Sequence, residues 1–277
     1  MKYIKKILSW LGIYSVMIFT VVVSIIPLIW VIISSLKSNK EILGSPFSLP
    51  TGLDLSAYIN VIETTNLMLY FKNSMVVTLT STIIALFIYA LAAYVFAKFD
   101  FKGKNSLFIL FSITLLIPGH ARAQPIFALI NNLNLYDTLS GLTLVYISGG
   151  LAVTLFILKA TFMSIPRELD EAAIIDSASF WQVFTKINLP LAKSGLATGG
   201  ILMFLGNWNE FYYGAMLLSA ESKRTLPVSL QFFNEQFSYN YTELFAAITL
   251  ATLPSVILYL CVQEQVQQSI ASSGVKG

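Results

Sequence analysis

The chain has 277 residues, of which 56% are hydrophobic and only 11% are charged, and its mean hydropathy is +0.74. A soluble domain carries about 25% charged residues, so this composition predicts an integral membrane protein. The net charge of +3 is small, and we expect no nucleic-acid partner. The single histidine and the single cysteine, His120 and Cys261, are far apart in the sequence, so no metal site and no internal disulfide are expected.

Apolar stretches long enough to cross a bilayer as helices, which takes about 20 residues, occur about six times. We therefore predict an all-α integral membrane protein whose spans are 11–36, 74–97, 106–133, 138–162, 192–217 and 244–262. Because no internal repeat or separable soluble segment is visible, residues 1–277 are predicted to form a single transmembrane domain.

The distribution of lysine and arginine predicts the orientation of these spans, because cytoplasmic loops are enriched in both residues. With the N-terminus in the cytoplasm, the outer segments 37–73 and 219–242 contain Lys37, Lys40, Lys72, Lys223 and Arg224. Arg122 then lies within a span, and the other lysines and arginines are cytoplasmic. Both chain termini and the loop 164–193 are therefore predicted to be cytoplasmic.

The loop 164–193 has helix signals of its own. Pro166 suits a first helical turn, and the acidic residues after it face the positive end of the helix dipole. Ser179 and Gln182 have the S-x-x-Q spacing of a capping box for a second helix, which Pro190 should end. On periodicity alone this is either a solvated polar loop or, given Phe180, Trp181 and Phe184, a docking element for a soluble partner.

The residues of this loop favour docking, because they resemble the EAA signature of ABC-importer permeases. The resemblance includes Glu171-Ala172-Ala173, Asp176-Ser177 and Ile187-Asn188-Leu189-Pro190 at the family spacing. We call the segment 164–193 the EAA-like loop. The family has glycine where this chain has Ser177, and serine is the less favourable residue if the backbone there is left-handed. The resemblance implies that Glu171, Ala172, Ala173, Asp176 and Ser177 contact an ATPase.

His120 and Arg122 lie between Pro118 and Pro125 in the third predicted span. An arginine at membrane depth is costly, so it is expected to face a wet cavity or a partner. The prolines favour irregular backbone lining such a cavity. Alternatively, the helix is displaced and Arg122 reaches the outer interface.

A second polar cluster, Asn207, Asn209 and Glu210, lies in the fifth predicted span. Asn207 and Glu210 share a helix face, whereas Asn209 points elsewhere. An intramembrane carboxylate indicates a functional site, or else a hydrogen bond between packed helices. We assign both clusters to a translocation pathway.

The outer segment 219–242 is rich in aromatic residues, among them Phe232, Phe233, Phe237 and Tyr239. Exposed aromatic side chains suggest a partner surface, or alternatively anchoring in the lipid headgroups.

Taken over nearly the whole chain, the sequence resembles carbohydrate-type ABC-importer permeases of the maltose kind, with the type I fold. The resemblance implies a bacterial cytoplasmic membrane protein that imports a di- or oligosaccharide by alternating access. It also implies a second, homologous permease, two ATPase subunits that bind ATP and Mg²⁺, and an extracytoplasmic solute-binding protein. The chain itself has no P-loop, and no enzymatic activity or cofactor of its own is expected.

Two other functions could use parts of this sequence. An ion-coupled secondary transporter would use His120, Arg122 and Glu210 as a relay, although no repeat of the kind common in such transporters is visible. An intramembrane enzyme would need a nucleophile–base pair or a metal cluster, and the sequence shows neither.

Overall fold

The protein is all-α, as predicted. The computed structural model describes the backbone of residues 2–274 and the side chains other than those of residues 2–9, 258, 262 and 264–274, and this part of the chain contains no strand. Its helices are α1 (Lys2–Ser34), α2 (Asn39–Gly44), α3 (Ser56–Thr64), α4 (Leu67–Lys98), α5 (Lys104–Ile113), α6 (Ala123–Asn132), α7 (Leu139–Gly149), α8 (Leu151–Met163), α9 (Arg167–Ile175), α10 (Phe180–Leu191), α11 (Lys193–Trp208), α12 (Tyr212–Leu217), α13 (Leu226–Gln236) and α14 (Tyr241–Gly274).

Two compact units make up the chain. The first comprises the residues up to Leu67 together with Leu230–Pro254, and the second comprises Met68–Ser229 and the chain from Ser255. The candidate pathway residues and the whole EAA-like loop belong to the second unit.

The first unit is organised around the end of α1. Trp30 donates a hydrogen bond to the Pro46 carbonyl at 3.0 Å and packs edge-on against Phe245. Lys37 is fully buried, and its ammonium donates to the Ser45 and Pro46 carbonyls at 3.2 and 3.0 Å. The segment 37–73, predicted as an outer loop, contains α2, α3 and the first turns of α4.

In the part of the chain that the structure describes, three helical segments are long and apolar enough to cross a membrane: Trp10–Ser34 of α1, Leu67–Lys98 (α4) and Tyr241–Cys261 of α14. Two further pairs qualify if each bent pair counts as one span: α7 with α8, bent by 50°, and α10 with α11, bent by 78°. The third, fourth and fifth of the predicted spans are therefore interrupted in the structure.

The interruptions occur where the sequence weakens helices. The third predicted span ends as α5 at Ile113, and a 3₁₀ turn, Gly119–Arg122, follows Pro118 before α6 begins. At 10 residues each, α5 and α6 are only about 15 Å long. The fourth is interrupted at Gly150, between α7 and α8, and glycine is a weak helix former. The fifth is interrupted between Trp208 and Tyr212.

Glycines on α11 allow it to pack closely on α8. A Cβ on Gly195 would lie 2.8 Å from the Cβ of Thr161, and a Cβ on Gly199 would lie 3.0 Å from the Cγ2 of Thr154. The small-xxx-small pattern of α11 therefore packs a helix interface, as small residues do within membranes.

Candidate functional site

The EAA-like loop forms two helices joined by a tight turn. Helix α9 ends at Ile175, and Ser177 has a φ of +63°. The Ala178 N–H donates to the Ala173 carbonyl and the Ser177 N–H to the Ile174 carbonyl, both at 2.9 Å. This pair of bonds is a Schellman motif, which requires a left-handed residue after the helix. The glycine-favouring conformation is therefore present here, with serine in place of glycine.

Helix α10 begins as predicted but ends later. Ser179 and Gln182 form the reciprocal capping box: the Ser179 N–H donates to Gln182 Oε1 at 2.7 Å, and the Gln182 N–H donates to Ser179 Oγ at 3.4 Å. The expectation that Pro190 ends the helix is wrong, because the chain stays helical through Leu191. A π-helical stretch, Val183–Asn188, precedes the proline; its wider turn changes the hydrogen-bond register before the residue that lacks an N–H.

A buried polar cluster, consisting of Lys98, Asp170 and Asn188, ties α4, α9 and α10 together. The Lys98 ammonium lies 3.0 Å from Asp170 Oδ2 and donates to the Ile165 carbonyl at 2.8 Å. The buried Asn188 amide donates to Asp170 Oδ1 at 2.6 Å. Both carboxylate oxygens of Asp170 are therefore occupied by buried donors, which holds α9 in one position.

Aromatic packing supports the polar cluster. The ring of Tyr94, on α4, is buried and lies 5.6 Å from the ring of Phe180 and 5.2 Å from that of Phe184, both on α10. It also packs against Phe162 of α8. Two of the three aromatic residues that suggested a docking surface thus face inward at least in part, and Phe184 is fully buried. Trp181 remains exposed.

Several apolar side chains of α9 are exposed. Ile175 is 83% exposed and Ile174 63% exposed, and Leu169 is also exposed. Around them, four of the five EAA-signature candidates are exposed, namely Glu171, Ala172, Asp176 and Ser177, whereas Ala173 is half-buried. A monomer in water does not favour such an exposed apolar surface next to a rigid buried anchor.

A second site is a cavity of about 370 Å³ within the second unit. Arg122, Asn207 and Glu210 all line it, together with Tyr146, Tyr213 and the helix break at Gly149-Gly150. Interruptions of three predicted spans therefore meet at one cavity, the arrangement in which irregular backbone is tolerated at membrane depth. Asn207 also donates to Ser81 Oγ on α4 at 3.0 Å.

Glu210 is anchored by three donors. Its carboxylate accepts from the Tyr146 hydroxyl at 2.8 Å, from the Tyr213 N–H at 2.8 Å and from the Gly214 N–H at 3.1 Å. The two backbone donors belong to the first turn of α12, so Glu210 caps that helix after the interruption of the fifth span.

The other candidate pathway residues lie elsewhere. His120 is exposed and stacks edge-on against Tyr212, with 4.5 Å between ring centroids, and it is not among the residues that line the cavity. Asn209 is exposed, and its amide donates to the Leu205 carbonyl of its own helix. The pathway assignments of His120 and Asn209 are therefore not supported by the cavity.

The aromatic residues predicted to contact a binding protein differ in their exposure. Tyr239 is 91% exposed, but Phe233 and Phe237 are 1% and 6% exposed and pack against each other. The expectation that all four aromatic residues are exposed is wrong for these two phenylalanines, because they are spaced at i and i+4 on the buried side of the chain. Phe232 is half-buried.

Sequence reasoning missed Lys98, Asn188, Tyr146 and Tyr213 as site residues. Asn188 lies inside the EAA-like loop, between Ile187 and Leu189, where an isolated amide in an apolar run could have indicated a buried hydrogen bond. Lys98 was assigned only to orientation. Tyr146 gives no local signal, because its partner Glu210 is 64 residues away.

Comparison with known proteins agrees with this geometry. Residues 89–272 match the family model described as "Binding-protein-dependent transport system inner membrane component". The chain is 34% identical over 260 residues to the diacetylchitobiose uptake system permease protein NgcG of Streptomyces coelicolor, covering 93% of this chain and 86% of that protein. It is 30% identical to the arabinooligosaccharides transport system permease protein AraQ of Halalkalibacterium halodurans, covering 99% and 98%.

A solved structure shows the same fold. The crystal structure of a bacterial ABC transporter involved in the import of the acidic polysaccharide alginate contains a chain that matches this one with a TM-score of 0.80 and 26% identity. The match covers 94% of this chain and 96% of that chain. The protein therefore has the type I permease fold, and it belongs to the family of inner membrane components of binding-protein-dependent transport systems.

Proposed function

We propose that the chain is a permease subunit of an ATP-driven importer of oligosaccharides in a bacterial cytoplasmic membrane. The family membership supports an importer that depends on a binding protein over the ion-coupled alternative. The named substrates of the relatives above, diacetylchitobiose, arabinooligosaccharides and alginate, are all carbohydrates of more than one unit, which supports an oligosaccharide here.

One observation carries the proposal: α9 has exposed apolar side chains and is held at the same time by a buried ion pair. A helix built this way can transmit force, because the Lys98–Asp170–Asn188 cluster joins it to α4 and α10. We assign its exposed residues, Ile174 and Ile175 with Glu171, Ala172, Asp176 and Ser177, to contact with an ATPase subunit.

The transport cycle follows from this arrangement. ATP and Mg²⁺ are bound by the two ATPase subunits, whose closure moves α9 and, through the polar cluster, α4 and α10. A second homologous permease completes the translocation pathway, and the cavity beside Arg122 and Glu210 is this chain's part of it. An extracytoplasmic binding protein delivers the sugar, and the exposed Tyr239 of the outer segment is available for that contact.

The test is affinity purification of the tagged chain in mild detergent from its native host, followed by mass spectrometry. We expect a second permease and an ATPase in stoichiometric amounts. The variant Ile175→Asp should lose the ATPase, whereas Ile62→Asp, which changes an isoleucine of α3 that is also exposed, should retain it. If the wild-type chain purifies alone and its uptake stops on collapse of the proton gradient but not on ATP depletion, the proposal is wrong.

A further inference from the structure

Among the residues that the structure describes, Arg122 lines the cavity without forming an ion pair. Its Nε is buried and makes no hydrogen bond within that part of the chain. The guanidinium carries five donors and stays charged at any physiological pH. An unpaired arginine in a membrane-spanning segment is costly, and such residues mark substrate or ion pathways.

The neighbouring carboxylate does not serve this arginine. Glu210 lines the same cavity, but its two oxygens accept from the Tyr146 hydroxyl and from two backbone N–H groups. The negative charge of the cavity is therefore committed to capping α12, and the positive charge is left available. Because the positive charge is available and the negative charge is not, the cavity favours a negatively charged ligand over a positively charged one.

The backbone around Arg122 adds to this preference. Arg122 ends the 3₁₀ turn that precedes α6, and Ile126, in the first turn of α6, also lines the cavity. The N-terminal end of a helix carries a partial positive charge. The arginine and the start of α6 thus present positive potential at the same cavity wall.

The size and lining of the cavity suit part of a sugar. Its volume of about 370 Å³ lies within the roughly 300–1,000 Å³ range of small-molecule sites. Asn207 and Ser148 contribute polar groups to a lining that also includes Val153 and Leu202. Amide and hydroxyl groups next to apolar side chains can hold the hydroxyls and the carbon skeleton of a sugar ring.

We propose that Arg122 binds an anionic group of the transported carbohydrate, foremost the carboxylate of a uronic acid unit. The planar guanidinium fork matches a carboxylate with two parallel hydrogen bonds. This inference rests on the proposed importer function and names the chemical class of its substrate. Arg122 is thereby a specificity-determining residue of this permease.

The experiment measures what the complete importer accumulates. The cells express the permease pair, the ATPase and the binding protein as their only oligosaccharide uptake system. They receive a mixture of neutral xylo- and chito-oligosaccharides and acidic uronate oligosaccharides. The sugars that accumulate in the cells are identified by mass spectrometry. We expect ATP-dependent accumulation of the acidic class. Arg122→Gln should lower it at least tenfold, and Arg122→Lys should restore part of it because the charge is kept without the fork.

The control is Lys72→Gln, which removes one positive charge from an exposed position outside the cavity and should leave accumulation unchanged. The affinity of the purified binding protein for the acidic sugar is the same in every strain, so a loss in Arg122→Gln reports on the permease.

Three results would overturn the inference while leaving the importer function intact. In the first, the wild type accumulates only neutral oligosaccharides in an ATP-dependent manner. In the second, Arg122→Gln accumulates the acidic class as the wild type does. In the third, Arg122→Gln loses the second permease on purification, which shows that Arg122 pairs with a carboxylate of that subunit. If the wild type accumulates neither class, the proposed function fails, and this inference fails with it.

Discussion

The Lys98 ammonium lies 3.0 Å from the Asp170 carboxylate, and this ion pair joins the end of α4 to α9, the helix with the exposed apolar surface. The side chains are only 4% and 13% exposed. Burial makes the pair costly to break, because removing one partner leaves a charge in a poorly solvated site. The position of α9 therefore depends on both residues together.

Either single substitution in this pair, Lys98→Met or Asp170→Leu, is expected to destabilise the protein by about 3 kcal/mol. The double variant should recover most of that loss, because no unpaired charge remains. Thermal unfolding of the purified permease in detergent measures the effect. The control is Lys104→Met, which breaks the ion pair with the exposed Asp100 and should change the unfolding temperature little. Equal losses at both pairs would contradict a buried role for Lys98.

Ser177→Gly is expected to stabilise the EAA-like loop. The serine has a φ of +63°, and a left-handed conformation costs a residue with a Cβ about 1 kcal/mol relative to glycine. Hydrogen exchange of residues 167–178, followed by mass spectrometry, should show slower exchange in the variant.

The same substitution at Ser179 is the control. Ser179 has a φ of −72° and caps α10 through its side chain, so Ser179→Gly should give no gain and should speed exchange at the start of α10. Faster exchange of α9 in Ser177→Gly would show that the serine side chain, and not the backbone conformation, matters at that position.

Local signals in the sequence were sufficient for the beginning of each helix in the EAA-like loop. The capping box at Ser179 and the acidic first turn of α9 act within four residues, so the sequence alone could identify them. The end of α10 could not be predicted in this way. Whether a helix stops at Pro190 depends on the π-helical stretch before it, which accompanies the burial of Asn188 against Asp170, 18 residues away.

The cavity also could not be predicted from local signals in the sequence. A polar residue in an apolar span predicts a position away from lipid, and Arg122, Asn207 and Glu210 all line the cavity. Their meeting at one cavity depends on how interrupted helices pack, and hydropathy averages over those interruptions. Tyr146, which binds Glu210, resembles any other aromatic residue of a span until α7 and α12 are brought together.

Gly195→Ala is expected to loosen the packing of α11 on α8. The added Cβ would lie 2.8 Å from the Cβ of Thr161, and overpacking of this kind typically costs 1–3 kcal/mol, so we expect about 2 kcal/mol. Gly206→Ala, on the same helix, meets no atom within 4 Å and should be neutral or slightly stabilising. Unfolding temperatures of the two variants compare them directly, and equal values would contradict the close approach at Thr161.

Glu41 should make the segment between α1 and α3 sensitive to acid. The Thr51 hydroxyl foremost, and also the Ser38 N–H and hydroxyl, donate to its carboxylate and lower its pKa to about 2. A group whose pKa is lowered by folding contributes stability above its unfolded pKa and loses it as the pH falls towards the folded value. The contribution should therefore be lost between about pH 4.5 and pH 2.

Hydrogen exchange of residues 38–51, measured across this pH range and corrected for the intrinsic exchange rate, tests the prediction. Wild-type protection should fall with the pH, whereas Glu41→Gln, which can keep the capping box with Ser38, should show a flat profile. A parallel decline in both proteins would assign the acid sensitivity to another group.

Substitutions of Glu210 distinguish a structural role of its carboxylate from a role in carrying protons. If its role is to cap α12, Glu210→Gln keeps one acceptor oxygen for the backbone N–H groups of Tyr213 and Gly214 and should retain uptake within tenfold of the wild type. Glu210→Ala removes both side-chain acceptors and leaves the buried Tyr146 hydroxyl with the backbone carbonyl of residue 210, 3.3 Å away, as its remaining acceptor, at a cost of about 2 kcal/mol. Uptake in cells with a collapsed proton gradient but normal ATP should persist in the wild type and in Glu210→Gln.

Complete loss of uptake in Glu210→Gln, with an unchanged unfolding temperature and an intact complex, would contradict this role. Glutamate and glutamine have the same shape and differ in their ability to carry a proton. Such a loss would therefore show that transport requires a carboxylate that ionises.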